Sequence, residues 1–326
     1  MGIGSGAEIG AAAARDGAAA HRLVPLFAFV VFSSAFLLFQ VQPLVSRQIL
    51  PWFGGSPAVW TAAMLFFQAV LFGGYLYAHL TTSRLSARAQ CGLHLGLLCA
   101  AAAAALSTGS SPPAWLRPTG EADEAPLLRI LLLLGVTVGL PYFTLSATGP
   151  LLQRWFTIVV PGRSPYRLFA LSNVGSLLAL LTYPIVVEPA CGGRTQAAAW
   201  TAGFVAFAAC CAACVARVRG AADGVGPSTY RAAASGPGLV TAAWVGLPAL
   251  GSVLFLATTN EVCQNVATVP LLWIVPLSLY LLSFIVAFDH PRWYRRRATA
   301  VTALAMVAVM AGWDPLGRLV PDGLLD

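Results

Sequence analysis

Nine apolar runs of 16 to 23 residues, separated by short polar breaks, organise the chain. They are Leu23–Val45, Ala58–Ala78, Ala89–Leu106, Leu127–Ala147, Leu168–Val187, Ala197–Val215, Leu239–Thr259, Val266–Phe288 and Ala298–Trp313. A helix needs about 20 apolar residues to cross a hydrocarbon core of roughly 30 Å, and these runs match that length. The third is alanine-rich and the ninth is short. The pattern predicts an all-α, polytopic integral membrane bundle of about nine transmembrane helices. Residues 1–22 read as a disordered cytoplasmic tail, 23–313 as the transmembrane domain and 314–326 as a short C-terminal tail. The tail is not a cleavable signal, because the apolar run after Arg22 is too long and no small-residue cleavage site ends it.

Arginine placement sets the orientation. If the N-terminus faces the cytoplasm, the inner segments hold Arg15, Arg22, Arg84, Arg88, Arg154, Arg163, Arg167, Arg217, Arg219, Arg231, Arg292, Arg295, Arg296 and Arg297. The outer segments hold Arg47, Arg117, Arg129, Arg194 and Arg318. A split of 14 to 5 follows the positive-inside rule and supports the helix count, since one miscounted span would scramble it. Such a chain belongs in a bacterial inner membrane. The nine tryptophans fall near predicted span ends or in short loops, as an interfacial belt would have them.

Composition narrows the function classes. Only 10% of residues are charged and 58% are hydrophobic, against about 25% charged in soluble domains, so a water-facing surface cannot be built. All 19 basic residues are arginine, which with the abundant alanine and glycine reads as coding bias; the net charge of +7 does not point to nucleic acid. Five of the seven cysteines lie inside apolar spans, where a thiol packs as a small polarisable group. Cys211 and Cys214 have a redox-like spacing but no histidine or acid beside them. The four histidines (His21, His79, His94 and His290) show no metal-ligand spacing, so neither metal nor cofactor is expected. No serine or cysteine has a neighbouring base in sequence, so no catalytic residue is assigned.

Three segments are unusually polar or Pro/Gly-rich for their depth. In residues 40–60, Gln40 and Gln42 occupy the last turns of the first span; Pro43 weakens it, and Pro51, Gly54 and Gly55 break it. Ser56-Pro57 then starts the second span. This is either an interfacial loop with capping residues or a gating or binding loop, since broken helices at membrane depth need cover from protein or a water-filled cavity. In residues 140–173, Pro141, Gly149 and Pro150 kink the fourth span. Thr144, Ser146 and Thr148 can bond the carbonyls those prolines free, and Arg154, Arg163 and Arg167 form a basic inner loop. Asn173 and Ser176 follow inside the fifth span, as interhelical glue or as cavity-lining groups. In residues 258–265, Asn260, Glu261, Gln264 and Asn265 join the seventh and eighth spans; Glu261, with Glu188, is one of few acids near membrane depth. With Gln68, these groups form the candidate substrate path, and Pro43, Arg47, Gly54, Gly55, Pro150 and Arg154 the candidate gating motif.

Two of these segments repeat. Pro43-Leu44, Arg47 and Ser56-Pro57 match Pro150-Leu151, Arg154 and Ser164-Pro165, with Pro-to-Arg spacings of 4 in each and Pro-to-Ser spacings of 13 and 14. Lying three helices apart and on opposite faces, they have either the layout of an inverted repeat, the plan of many secondary transporters, or a coincidental likeness.

The stretches FLLFQVQPLVSRQILPWFGGSPAVWTAAMLFFQ (36–68), GLPYFTLSATGPLLQRWF (139–156), SPYRLFALSNVGSLLALLTYPIVVEP (164–189) and ATTNEVCQNVATVPLLWIVPLSLYLLSFIVAFD (257–289) resemble the membrane half of the fused major facilitator/spermidine synthase family. The resemblance covers most of residues 23–297 and implies a major facilitator-like fold. Family members continue into a soluble aminopropyltransferase-like domain, whose Gly-rich nucleotide loop and acidic substrate run are not found here, so the synthase activity is not carried over. The resemblance implies a partial or split member. Its partners would be the lipid bilayer and either a soluble aminopropyltransferase-like domain or a second membrane half. The leading expectation is a transporter-like module for a small polar or cationic solute such as a polyamine, the alternative a membrane anchor for a separately encoded synthase domain.

Nine crossings with the N-terminus inside put the two ends of the chain on opposite faces. A reporter at the N-terminus is expected to be accessible from the cytoplasm and one at the C-terminus from the other side. Recovery of both from one side would overturn the helix tally.

Overall fold

The structure is a computed structural model describing residues 4–53, 57–109, 116, 126–221, 238–265, 274–289, 292–293 and 295–317. Side chains are described for these except at 4–22, 57, 58, 60, 238–241, 244, 260–265, 307 and 310–317. Among the described residues the secondary structure is helical, without strands: α1 (Gly4–Phe53), α2 (Pro57–Arg84), α3 (Ala87–Thr108), α4 (Pro126–Leu134), α5 (Leu140–Val159), α6 (Tyr166–Thr182), α7 (Glu188–Ala190), α8 (Gly193–Ala221), α9 (Gly238–Asn265), α10 (Ile274–Asp289) and α11 (Arg296–Gly317). Six helical stretches among the described residues are long and apolar enough to cross a membrane: Leu23–Phe53, Thr61–Arg84, Ala87–Thr108, Pro126–Val159, Tyr166–Ala190 and Gly193–Ala221. They coincide with the first six predicted runs and are called spans one to six below. Val245–Thr259 and Ile274–Asp289 are shorter apolar helices at the seventh and eighth runs, and α11 covers the ninth.

Several local expectations change. Helix α1 begins at Gly4, so helix extends through residues 4–22, where a disordered tail was expected. The alanines there are strong helix formers, and the first proline is Pro25. Helix α1 also runs through Pro43 and Pro51 to Phe53 rather than breaking at either. Each proline removes one backbone hydrogen bond, a loss that neighbouring helices can absorb in a bundle. The expected break at Gly54 and Gly55 lies outside the described residues.

Around two other prolines the helix widens instead. A π-helical turn, Gly135–Gly139, precedes Pro141, and a second, Tyr183–Val187, contains Pro184. A proline cannot donate to the carbonyl four residues back, and an extra residue in the turn relieves the clash of its ring. The hydroxyls of span four do bond backbone carbonyls, but not the ones the prolines free. Thr144 donates to Pro141 O, Ser146 to Phe143 O and Thr148 to Thr144 O, at 2.8, 2.8 and 2.6 Å. A short hydroxyl reaches one turn back along its own helix and so keeps its local partner.

The helices of spans one to six pair in a regular scheme. Span one lies along span five and also packs on span six; span four lies along span two and also packs on span three. Spans one and four touch each other, as do three and six. Exchanging one with four, two with five and three with six turns the one–five pairing into four–two and the one–six pairing into four–three, and leaves the one–four and three–six contacts as they are. Helix α10 rests on span five, where Phe284 and Phe288 meet Phe169 at ring distances of 6.1 and 4.7 Å.

Glycine permits the closest approach in both long pairings. A Cβ at Gly175 in span five would stand 2.6 Å from the backbone oxygen of Phe32 in span one, and one at Gly74 in span two would overlap Ser146 Oγ in span four. Bulky side chains point outward. Phe29, Phe72 and Ile185 are 53%, 68% and 70% exposed, an apolar perimeter suited to lipid contact. Two tryptophans pack into the protein rather than outward. Trp155 is fully buried, and Trp200 is nearly so, its indole N–H bonded to Leu37 O at 2.9 Å.

Gly175→Ala is expected to destabilise the detergent-solubilised protein by roughly 1–3 kcal/mol through overpacking. Gly96→Ala, where a Cβ meets nothing within 4 Å, serves as the control and should be neutral or slightly stabilising. Equal melting temperatures for the two variants would show that the contact between spans one and five is not close.

Candidate functional site

The proposed path residues separate into three groups. Gln40 and Gln42 are rungs between helices. Gln40 is buried and donates through Nε2 to Ala179 O and to Thr182 Oγ1, both at 3.2 Å, joining span one to span five. The Thr182 hydroxyl gives its own proton to Leu178 O at 2.6 Å, which leaves its oxygen free to accept. Gln42 donates to the hydroxyl of buried Tyr142 at 3.0 Å, joining span one to span four, and the Tyr142 ring packs on Phe67 of span two at 4.9 Å.

Asn173 and Ser176 turn to their own helix. Asn173 Nδ2 donates to Phe169 O at 2.9 Å and Ser176 to Ser172 O at 3.1 Å. Neither bond crosses between helices, so neither is interhelical glue in the expected sense. Gln68 is exposed on the outer surface of span two. The side chains of Asn260, Glu261, Gln264 and Asn265, at the end of α9, lie outside the described residues. Pro43 and Pro150 are half-buried inside their helices, as is Arg154.

Two polar clusters close opposite ends of spans one to six. At one end, Arg47 of span one faces Glu188 of span five at 3.7 Å, and its Nη1 reaches Glu188 O at 3.5 Å. Both side chains are about two-fifths exposed (42% and 39%), so this pair positions the two span ends more than it stabilises them. Beside it Tyr183 donates to Gln196 Oε1 at 3.2 Å, and Gln196 Nε2 donates to Cys191 O at 2.8 Å. At the other end the same device recurs. Gln90 Nε2 donates to Leu85 O at 2.9 Å, and Trp155 Nε1 donates to Gln90 Oε1 at 3.0 Å. Each glutamine stands in the first turns of the third helix of its trio and holds the carbonyl five residues back, across the short connection. Their backbone amides match too, Gln90 to Ser86 O and Gln196 to Gly192 O, each at 3.0 Å.

Between spans two, three and four lies a third cluster. His94 on α3 is fully buried, its Nε2 3.2 Å from Thr148 Oγ1. Its ring lies 6.1 Å from Tyr77, nearly parallel, and 5.8 Å from Trp155, edge-on. Phe143 completes the aromatic wall at 5.5 Å from Tyr77. The Tyr77 hydroxyl and His94 Nδ1 are buried without hydrogen-bond partners. Sequence reading set His94 aside because no second ligand follows it at helical spacing, and its real neighbours sit on two other helices. One signal was available for the glutamines: Gln90 and Gln196 are 106 positions apart, against 107 for both the Pro43/Pro150 and Arg47/Arg154 pairs.

Among the described residues, no three His, Cys, Asp or Glu side chains converge as metal ligands would. No family model, curated protein or solved structure matches the chain.

Trp155 and Gln90 should prove coupled. A double-mutant cycle of Trp155→Phe and Gln90→Leu, read by thermal unfolding in detergent, is expected to give an interaction of about 0.6–2 kcal/mol, the range for buried hydrogen bonds in membrane bundles. Strict additivity would mean that the bond contributes nothing.

Proposed function

We propose that this chain is a transporter-like, multi-pass membrane module with about nine transmembrane helices in a major facilitator-like arrangement. It moves a small polar or cationic solute, such as a polyamine, across the bacterial inner membrane, with its N-terminus in the cytoplasm. The observation that carries this reading is the exchange relation among spans one to six, in which spans one to three and four to six take up matching partners. Two structurally matched trios facing opposite ways are the plan on which alternating-access carriers are built. The matched glutamines, Gln90 and Gln196, and the repeated Pro-Leu, Arg and Ser-Pro positions support the same division.

On this reading the solute path follows the seam where span one meets spans four and five. Gln40 and Gln42 present neutral amides there, hydrogen-bonding groups that recognise a polar solute without holding it too tightly. Glu261, near the end of α9, supplies the negative charge that neutralises a cation. Polar groups at membrane depth are costly unless they do such work or tie helices together, and a seam residue does both.

A second reading, that of a membrane anchor for a separately encoded aminopropyltransferase-like domain, has its own support. Arg295, Arg296 and Arg297 form an exposed basic run at the start of α11. Co-purification of a soluble synthase-like protein, lost when these arginines are neutralised, would favour the anchor.

Proteoliposomes holding the full chain should accumulate a labelled polyamine, and Gln42→Ala and Glu261→Gln should each lower the initial rate about tenfold, the loss of roughly 1.4 kcal/mol of interaction in the rate-limiting state. Uptake at the protein-free rate, or unchanged in both variants, would count against the transport reading.

A further inference from the structure

We propose that His94 is a proton-binding site inside the bundle, its Nδ1 the basic atom that takes up the proton. The tautomer follows from the hydrogen bonds. Thr148 has one hydroxyl proton, and that proton is committed to Thr144 O at 2.6 Å. Thr148 Oγ1 can therefore only accept from His94 Nε2, 3.2 Å away. A neutral imidazole carries one N–H, so it sits on Nε2 and Nδ1 is left as a bare lone pair. That lone pair is fully buried and has no partner. Native structures seldom leave a buried acceptor open without a use for it, because the loss of its hydration is not returned.

One neighbour suits a transient positive charge: Tyr77 lies nearly parallel to the imidazole and offers it the face of an electron-rich ring. Trp155 meets the ring at a steep angle. The groups facing His94 from span two (Tyr77) and span four (Thr148 and Trp155) are neutral. On its own helix, Cys91 stands one turn earlier, within electrostatic reach of Arg219 and of Cys211 on α8. Arg88 and Arg154 are each six residues along their helices from His94 and Thr148, about 9 Å of rise. Between Leu23 and Ala221 the acids are Glu121, Asp123, Glu124 and Glu188. The first three lie in the 110–125 connection and Glu188 at a span end, so within the spans His94 is placed to titrate deep in the bundle.

Uptake is a simple addition. A proton from water bonds to Nδ1, the ring becomes imidazolium, and Nε2–H keeps its bond to Thr148. His94 sits seven residues into α3, roughly 10 Å from the helix start, which places the charge at membrane depth, where ionisable groups serve proton relays. This site is separate from the Gln40 and Gln42 seam, and it stands whether or not the module transports a solute.

The test is nitrogen-15 NMR of the full chain in lipid nanodiscs with histidine-selective labelling, the His94 signals being those absent from His94→Gln. Glutamine keeps an amide donor near the Nε2 position and lacks a basic nitrogen, so the variant should retain its fold, checked by melting temperature. At neutral pH the wild type should show a bare Nδ1 and a protonated Nε2, converting to two N–H groups as the pH is lowered. Thr148→Val should redistribute the neutral tautomers, because it removes the acceptor that pins them. A neutral ring protonated on Nδ1 would overturn the inference. So would a ring that keeps a bare nitrogen down to the pH at which the bundle unfolds.

Discussion

The constraint on which the rest of this structure depends is that a polar group inside the bundle must find its partner within the protein. Lipid offers no hydrogen bonds, so among the described residues most buried polar side chains are answered by a carbonyl or side chain within reach, the exceptions being atoms of Gln48, Tyr77, His94 and Ser278. The serines and threonines take the nearest carbonyl, one turn back on their own helix. Longer side chains cross to a neighbour, as Gln40, Gln42, Trp155 and Trp200 do. Reach thus decides which polar residues merely settle their own helix and which hold two helices in register.

That distinction organises the architecture. Cross-links gather where span one meets spans four, five and six, and where spans three and four meet. Glycines let the long pairings close: Gly175 brings span five against the Phe32 carbonyl, and Gly74 brings span two against Ser146. In lipid, where apolar side chains gain little by leaving their surroundings, such close backbone approach and interhelical bonds supply much of the association energy. The π-helical turns before Pro141 and around Pro184 sit in spans four and five, two of the helices that pack on span one. They re-aim these helices without breaking them.

His94 departs from the pattern. Everything around it has a partner or needs none, yet its Nδ1 and the Tyr77 hydroxyl stand open in the interior. Thr148 explains why the open atom is the basic one, since its hydroxyl proton is already held by Thr144. The acceptor geometry of one threonine thus sets the chemistry of a histidine on another helix.

The linear order of residues located six long apolar helices, their starts closely and their ends less so, the fourth running on to Val159, because the length and apolarity of a crossing helix are local properties set by bilayer thickness. It also held matching positions, since Pro43 and Pro150, Arg47 and Arg154, and Gln90 and Gln196 recur at a nearly constant offset. What only the tertiary structure decided was partnership. Asn173 was expected either to tie helices together or to line a cavity, and it bonds its own helix; Trp155, expected near a span end, is buried there on Gln90. Pro51 was expected to break a helix that runs past it to Phe53. His94 drew no attention as one of four scattered histidines, yet it meets Thr148, Tyr77 and Trp155 from two other helices. Composition and spacing describe one helix at a time. Whether a polar side chain is glue, cap or proton acceptor depends on the atoms that a neighbouring helix, distant in sequence, brings within about 3 Å of it.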